Sequence, residues 1–174
     1  MIAIEELLAP VSDEAPCGPD HEHHVQFQLL ALDARGKPAQ EMGERSTKAV
    51  PPDWTAVKNG AFKFFSGIPN PDPKQALTPT CDLRVAVFLA RALLQLDAMP
   101  GLDSGLRLIR GLLDRHWEHV HPQLDPDDRD ASLRMNAITE LVNPNELLKE
   151  LRESLVVPAV RQGRVRIRDI QIAA

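Results

Sequence analysis

Tyrosine is absent from this chain of 174 residues, aromatic residues make up only 4% of it, and cysteine occurs twice. A domain with so few aromatics fills its core with Leu, Val, Ile and Ala, which leans towards helices, because strand-rich domains recruit more aromatic and β-branched residues. Cys17 and Cys81 are too few for a disulfide framework, and in a chain without an export signal they are expected to stay reduced. The start, MIAIEELLAP, has neither a basic leader nor a long apolar core, and no apolar run approaches the length that crosses a bilayer. Membrane insertion is therefore not expected. Excess positive charge is missing as well: the formal net charge is −5, which argues against a binder of nucleic-acid backbones.

What is present suits a globular domain, with 43% hydrophobic and 26% charged residues and enough chain to bury a core. Apolar spacing predicts a series of helices. A short one carries Ile4, Leu7 and Leu8, and a longer one spans 20–35 with Val25, Phe27, Leu29, Leu30 and Leu32. GKPAQEMGERSTKAVPPD has no apolar period and reads as an irregular, exposed connection. Asp53 then caps a helix whose Trp54, Val57, Ala61 and Phe64 or Phe65 share a face. GIPNPDPKQALTPT, with Pro69, Pro71, Pro73 and Pro79, reads as an extended surface loop.

The most apolar helix begins after Asp82. Nearly every side chain from Leu83 to Leu96 is apolar, the exceptions Arg84, Arg91 and Gln95 forming one narrow stripe, so this helix belongs at the centre of the bundle. MPG turns the chain into a second helix with Leu102, Leu106, Ile109, Leu113 and Trp117 on its apolar face. Pro122 and Pro126 end it. ASLRMNAITELV is helical again, and Asn143, Pro144 and Glu146 occupy cap, first and third positions of a last helix, NELLKELRESL. Beyond Pro158, Val165, Ile167, Ile170 and Ile172 alternate with polar residues, as in a short strand or hairpin. The expected fold is mainly α: a multi-helix bundle over 1–158, closed by a short C-terminal β strand or hairpin over 159–174.

Three clusters could carry chemistry. The stretch RHWEHVHPQLDPDDRD places His116 and His119 at a spacing that can hold one metal ion, with Asp125, Asp127, Asp128 and Asp130 behind them. Its acidic loop lacks the ligand spacing of an EF-hand, since Arg129 stands fifth and no glycine sixth. The same residues have a structural reading: histidines satisfy free carbonyls at a helix end, and aspartates suit the start of the next helix. Arg84 supports it. A cation in the first turn of a buried helix needs carboxylates, and Asp82 with the DPDD loop are the nearest suppliers, with Arg134 as a possible member. The second cluster, Cys17, His21, His23 and His24, lacks the second ligand pair of a zinc site and reads as an exposed first turn. The third, Arg164, Arg166 and Arg168, would share one face of a strand. Without an aromatic among them to stack a base, these arginines suit a charged sheet edge. No nucleophile elbow, phosphate loop or dinucleotide fingerprint occurs.

The string running from DLRVAVFLARALLQLDAMPG to WEHVHPQLDPDDRDASLRMNAITEL resembles the ImpA-type N-terminal domain of TssA proteins, from the bacterial type VI secretion system. IEELLAPVSDEAPCGPD, GKPAQEMGE, PPDW and GRVRIRDIQIA extend the resemblance over most of the chain. It implies signature positions at Trp54, Asp82, Leu83, Arg84, Trp117, His121, Pro122, Leu124, Asp125, Asp127, Asp128, Leu133, Arg134 and Asn136, structural rather than catalytic. It also implies a non-enzymatic, cytoplasmic organiser without cofactor, whose partners are baseplate, tube and sheath proteins and other TssA domains. Middle and C-terminal domains would follow in such a protein, the last forming a ring homo-oligomer. A TssA-related accessory protein with a different C-terminal part is the nearest alternative. A metal-dependent hydrolase using His116, His119 and the aspartates is the rival from another class. The Pro-rich loop, Ile68, Pro69, Asn70, Pro71, Asp72, Pro73 and Lys74, departs from the family pattern and is a candidate partner contact.

Overall fold

A computed structural model describes residues 3–37, 40–42, 45–70, 72, 76–154 and 166–173. Its elements run α1 (Ile4–Leu7), α2 (Val25–Arg35), β1 (Gln40–Met42), β2 (Arg45–Thr47), α3 (Trp54–Ser66), α4 (Leu83–His116), α5 (Ser132–Thr139), a 3-10 turn (Glu140–Val142), α6 (Leu147–Glu153) and α7 (Ile167–Ala173). The fold is mainly α, as the composition predicts.

Helix α4 supplies most of the core and is two helices end to end. Ala98 interrupts it at φ 54° and ψ −142°, one residue before the MPG at which the turn is expected, and Met99, Pro100 and Gly101 already belong to the second arm. In an unbroken helix Ala90 and Gly105 would stand about 22 Å apart. Instead, a Cβ built on Gly105 would lie 2.5 Å from the Ala90 Cβ, and one on Gly101 would lie 2.2 Å from the Leu93 carbonyl oxygen. The arms 83–97 and 99–116 are thus an antiparallel hairpin whose backbones nearly touch, an approach only glycine permits.

That approach corrects the predicted face of the second arm. The buried residues are Gly101, Leu102, Gly105, Leu108, Ile109, Leu112 and His116. Leu106 and Trp117, expected inside, are 43% and 42% exposed. The seam follows the glycines, which carry no hydropathy signal. A second correction concerns length: by composition alone, 83–116 could cross a bilayer, with a mean hydropathy of 1.4 over its most apolar window. The reversal at Ala98 and the burial of 61% of that window make it the core of the bundle instead.

Helix α3 packs along α4, and α2 covers α3. Val57, Ala61 and Phe64 are buried as predicted, and the Asp53 carboxylate accepts the Ala56 N–H at 3.0 Å. Helix α2 starts later than expected, because the His24 ring, through Nδ1, accepts the Gln26 N–H at 3.2 Å and caps it. Residues 20–24 form a turn tied by Asp20 Oδ1 to the Glu22 N–H at 2.8 Å. The connection before α3 is not wholly irregular: β1 and β2 pair antiparallel, Gln40 opposite Thr47, and Lys37 pairs with Val50 beneath them.

The Pro-rich loop is pinned at its base rather than simply extended. Ile68 and Leu77 exchange backbone hydrogen bonds of 2.7 and 3.0 Å, and Leu77 is buried. Pro71, Pro73 and Lys74 lie outside the described residues. Helix α6 begins at Leu147, since the Asn143 side chain holds the Asn145 N–H of a preceding turn at 3.0 Å. The expected C-terminal strand is corrected too. Ile167–Ala173 is helical, and Val165 and Arg164, with all of 155–165, lie outside the described residues. Ile167 and Ile170 are three apart, so so short an alternation fits a helix as well as a strand.

Candidate functional site

The second arm of α4 ends at His116, leaving carbonyls without helical partners. The His119 and Val120 N–H groups take the His116 oxygen, and Arg134 on α5 takes three carbonyls just beyond the helix end. Its Nε donates to the Pro122 oxygen at 2.7 Å, one terminal nitrogen to Val120 at 2.8 Å, and the other to Trp117. The guanidinium also sits 4.8 Å over the Trp117 ring. At 1% exposure it is the bulkiest fully buried side chain among the described residues. No carboxylate pairs with it directly among the described residues. Burial presses its pKa below the ordinary arginine value, and the Glu118 carboxylate pulls the other way. The charge rests on carbonyl oxygens, a helix C-terminus and a ring face, all of which carry negative potential.

His116 and His121 also bind carbonyls, but those of the N-terminal segment rather than of their own helix. His116 Nε2 is 2.9 Å from the Leu8 oxygen, and His121 Nε2 is 2.9 Å from the Gly18 oxygen. Around His121 three segments converge: its N–H donates to Cys81, the Leu83 N–H donates to His121, and the Cys81 N–H donates to Cys17, at 3.0, 2.8 and 2.9 Å. The His121–Pro122 peptide is cis. Cys17 and Cys81 are free, buried thiols in contact, and that contact with burial raises the Cys17 pKa.

Arg84 forms the predicted charged joint with partly different partners. It binds Asp82 at 2.6 Å, Asp20 at 2.7 Å and Glu22 at 2.8 Å. Asp82 also caps α4, accepting the Arg84 N–H at 2.8 Å. The second supplier is therefore the segment before α2, not the DPDD loop. Burial raises the Asp20 carboxyl, but the Glu22 N–H and the Arg84 guanidinium outweigh it and hold the pKa below the ordinary 3.8. Asp20 and Glu22 sit among residues the sequence groups as a histidine cluster. Their signal was the demand of a first-turn arginine for acids, but a separation of more than sixty residues hid which acids.

The acidic loop folds on itself. Asp125 Oδ1 accepts the Asp127 N–H at 2.8 Å, Asp128 Oδ1 accepts the Asp130 N–H at 2.9 Å, and Arg129 reaches back to Glu118. His116 is buried with its ring engaged on the Leu8 oxygen, whereas His119 is exposed. Among the described residues no group of three or more His, Cys, Asp or Glu side chains could hold a metal ion. The hydrolase reading therefore finds no assembled ligand set there. His21 is engaged with the Thr78 oxygen at 2.8 Å, and His23 is exposed.

Beside the joint a groove of about 400 Å³ opens between α2, the first arm of α4 and α5. Val87 and Phe88 line it with Phe27, Ala31, Leu133 and Ala137, and Arg84 and Arg91 mark two points along it. Arg91, which the sequence places on a polar stripe, is buried and paired with Glu146 at 2.6 Å and Glu150 at 2.7 Å. The late start of α6 leaves Glu146 free for this role.

The same region carries the similarity to known proteins. A family model described as ImpA, N-terminal, type VI secretion system matches residues 71–143. The type VI secretion system component TssA1 of Pseudomonas aeruginosa is 38% identical over 143 residues, which cover 82% of this chain and 38% of that protein. A solved N-terminal domain of the TssA component from Burkholderia cenocepacia, including its conserved ImpA_N region, superposes with a TM-score of 0.70 at 26% identity. The match covers 99% of this chain and 58% of that one. The chain carries the ImpA-type N-terminal domain of TssA proteins.

The residues expected at signature positions divide by place. Asp82, Leu83, His121, Pro122 and Arg134 are buried at the joint, and Arg84 lies just outside them. Trp54 is half-buried under the Arg91 guanidinium, 5.2 Å from its ring. Leu124 is half-buried, and Asp125, Asp127 and Asp128 are exposed. Leu133 and Asn136 are exposed beside the groove. Trp117 covers Arg134 from the solvent side instead of filling the core. The chain spans well under half the length of its curated TssA1 relative.

Proposed function

We propose that this domain is a non-enzymatic interaction module of a TssA-like protein, helping to organise the baseplate and the tail tube and sheath of a type VI secretion system in the bacterial cytoplasm. The observation that carries the reading is the use made of polar residues at the joint. Arg134, His116 and His121 are spent on carbonyl oxygens, and Arg84 on carboxylates, which makes a rigid platform. On this reading the signature positions set the angle between the hairpin and α5, and the surfaces beside them meet partners.

The Pro-rich loop is the first candidate contact. Its base is fixed by the Ile68–Leu77 pairing, so Pro69, Asn70 and Asp72 are presented from a rigid support; Pro71, Pro73 and Lys74 belong to the same proposed contact. Ring assembly is assigned to regions beyond this domain, and 1–158 with 159–174 to one folding unit. The test is sheath assembly in the source bacterium, followed with a fluorescent sheath subunit. Removing this domain is expected to abolish sheath foci, and replacing 69–76 with a short Gly-Ser linker is expected to reduce them while the purified chain keeps its stability. Normal foci without the domain would overturn the proposal.

A further inference from the structure

Helix α2 is apolar on two opposite sides. Phe27, Leu30 and Ala34 face the core and are buried. Val25, Leu29 and Leu32, spaced i, i+4 and i+7, form a second stripe about 180° around the helix. They are 54%, 47% and 61% exposed. A surface helix ordinarily turns polar residues outward, but here Gln26 and Asp33 are confined to one flank and Gln28 and Arg35 to the other.

The two ends of this helix carry opposite charge. At the N-terminal end Asp20, Glu22 and Asp82 share one guanidinium, that of Arg84, so acid exceeds base, and the Asp20 and Glu22 side chains remain 40% and 54% exposed. At the C-terminal end Arg35 and Lys37 outnumber Asp33, all three exposed and without an ion pair among the described residues. We infer that this face pairs with the same face of a second copy of the chain, α2 antiparallel to α2 across a two-fold axis. In that register Val25 of each copy meets Leu32 of the other, the two Leu29 side chains meet near the axis, and Asp20 and Glu22 face Lys37 and Arg35. A parallel arrangement would set acid against acid and base against base, so the charges select the antiparallel one. Three side chains per copy are a small patch beside the roughly 1,200 Å² of total area that a stable interface buries. The pairing is accordingly weak and reversible in the isolated chain. It does not depend on the type VI reading.

Sedimentation equilibrium of the chain over a concentration series is the test, with Leu29→Glu, Arg35→Glu, and two variants that each add one cysteine, Leu29→Cys and Leu106→Cys, cross-linked under mild oxidation. The native cysteines are buried, and the substituted positions are exposed, so folding is preserved and is checked by circular dichroism. Expected are a monomer–dimer equilibrium, a dissociation constant raised at least about tenfold by Leu29→Glu and less by Arg35→Glu, and covalent dimers from Leu29→Cys but not from Leu106→Cys. A monomer at every concentration, a dimer indifferent to Leu29→Glu, or cross-linking at Leu106→Cys alone would overturn the inference.

Discussion

The two ends of the α4 hairpin are held by opposite means. At the closed end, Gly101 and Gly105 let one backbone rest on the other, and what stabilises the turn is the absence of side chains. At the open end, Arg134, His116, His121 and Arg84 tie three segments together through hydrogen bonds and ion pairs. The closed end is a matter of volume and tolerates no added atom. The open end is a matter of satisfying buried polar groups and tolerates no lost one.

The sharpest way to break the open end is Arg134→Ala. It strands carbonyl oxygens that the guanidinium now satisfies and empties a buried site, at a cost of about 4 kcal/mol. Arg134→Lys should recover little, because an ammonium cannot reproduce a fork that serves the Trp117, Val120 and Pro122 oxygens together. Urea denaturation of both variants measures this; a loss below about 1 kcal/mol for Arg134→Ala would mean that water replaces the guanidinium without strain.

The corresponding break at the closed end is Gly105→Val, expected to cost about 3 kcal/mol. Its new atoms would collide with the Ala90 backbone, since a Cβ alone already stands 2.6 Å from the Ala90 Cα. The comparison sharpens if Ala90→Gly is added. That change relieves the side-chain clash but not the backbone one, so only part of the stability should return.

How much of each end was legible in the sequence follows from the same contrast. Polar residues in an apolar run stand out, so the joint could be located from Arg84, His121 and Arg134. Their partners could not be assigned, because Asp20 and Glu22 reach Arg84 from another part of the chain, and the oxygens that Arg134 holds belong to the backbone, which sequence does not distinguish. Glycines show the reverse. MPG placed the turn to within one residue of Ala98, but Gly105 in the second arm carried no apolar weight, and the buried face was read one position away, through Leu106 and Trp117. The late starts of α2 and α6 have a common cause: His24 and Asn143 make local side-chain hydrogen bonds that compete with an earlier helix start.

Arg84→Ala should cost less than either change, about 2 kcal/mol, because Asp20 and Glu22 are partly exposed and can be hydrated, and buried Asp82 keeps the backbone N–H of residue 84. Its signature is the pH dependence. Asp20 has a folded pKa below the ordinary 3.8, so its contribution is fully present above the unfolded value and is lost as pH falls through the folded one. The stability gap between wild type and Arg84→Ala should therefore narrow as pH falls from about 5 to below about 3. A gap that is flat across this range would show that Arg84 acts through packing on Phe27, 5.0 Å from its guanidinium carbon, rather than through charge.

The smallest effect has the opposite sign. Ala98 holds φ 54° and ψ −142° at the reversal, a region that a Cβ disfavours and glycine enters freely. Such a residue costs on the order of 1 kcal/mol and persists because the packing on either side over-determines it. Ala98→Gly should remove that strain and raise stability by about 1 kcal/mol in urea denaturation, less whatever entropy the unfolded chain gains from the glycine. The closed end would then respond differently to glycine and to valine at two nearby positions: stabilised where a Cβ is removed at Ala98, destabilised where side-chain atoms are added at Gly105. If Ala98→Gly instead destabilised the chain, the Ala98 methyl group would be contributing contacts worth more than the strain it imposes, and the reversal would owe its stability to packing at the turn as well as to the glycine seam behind it.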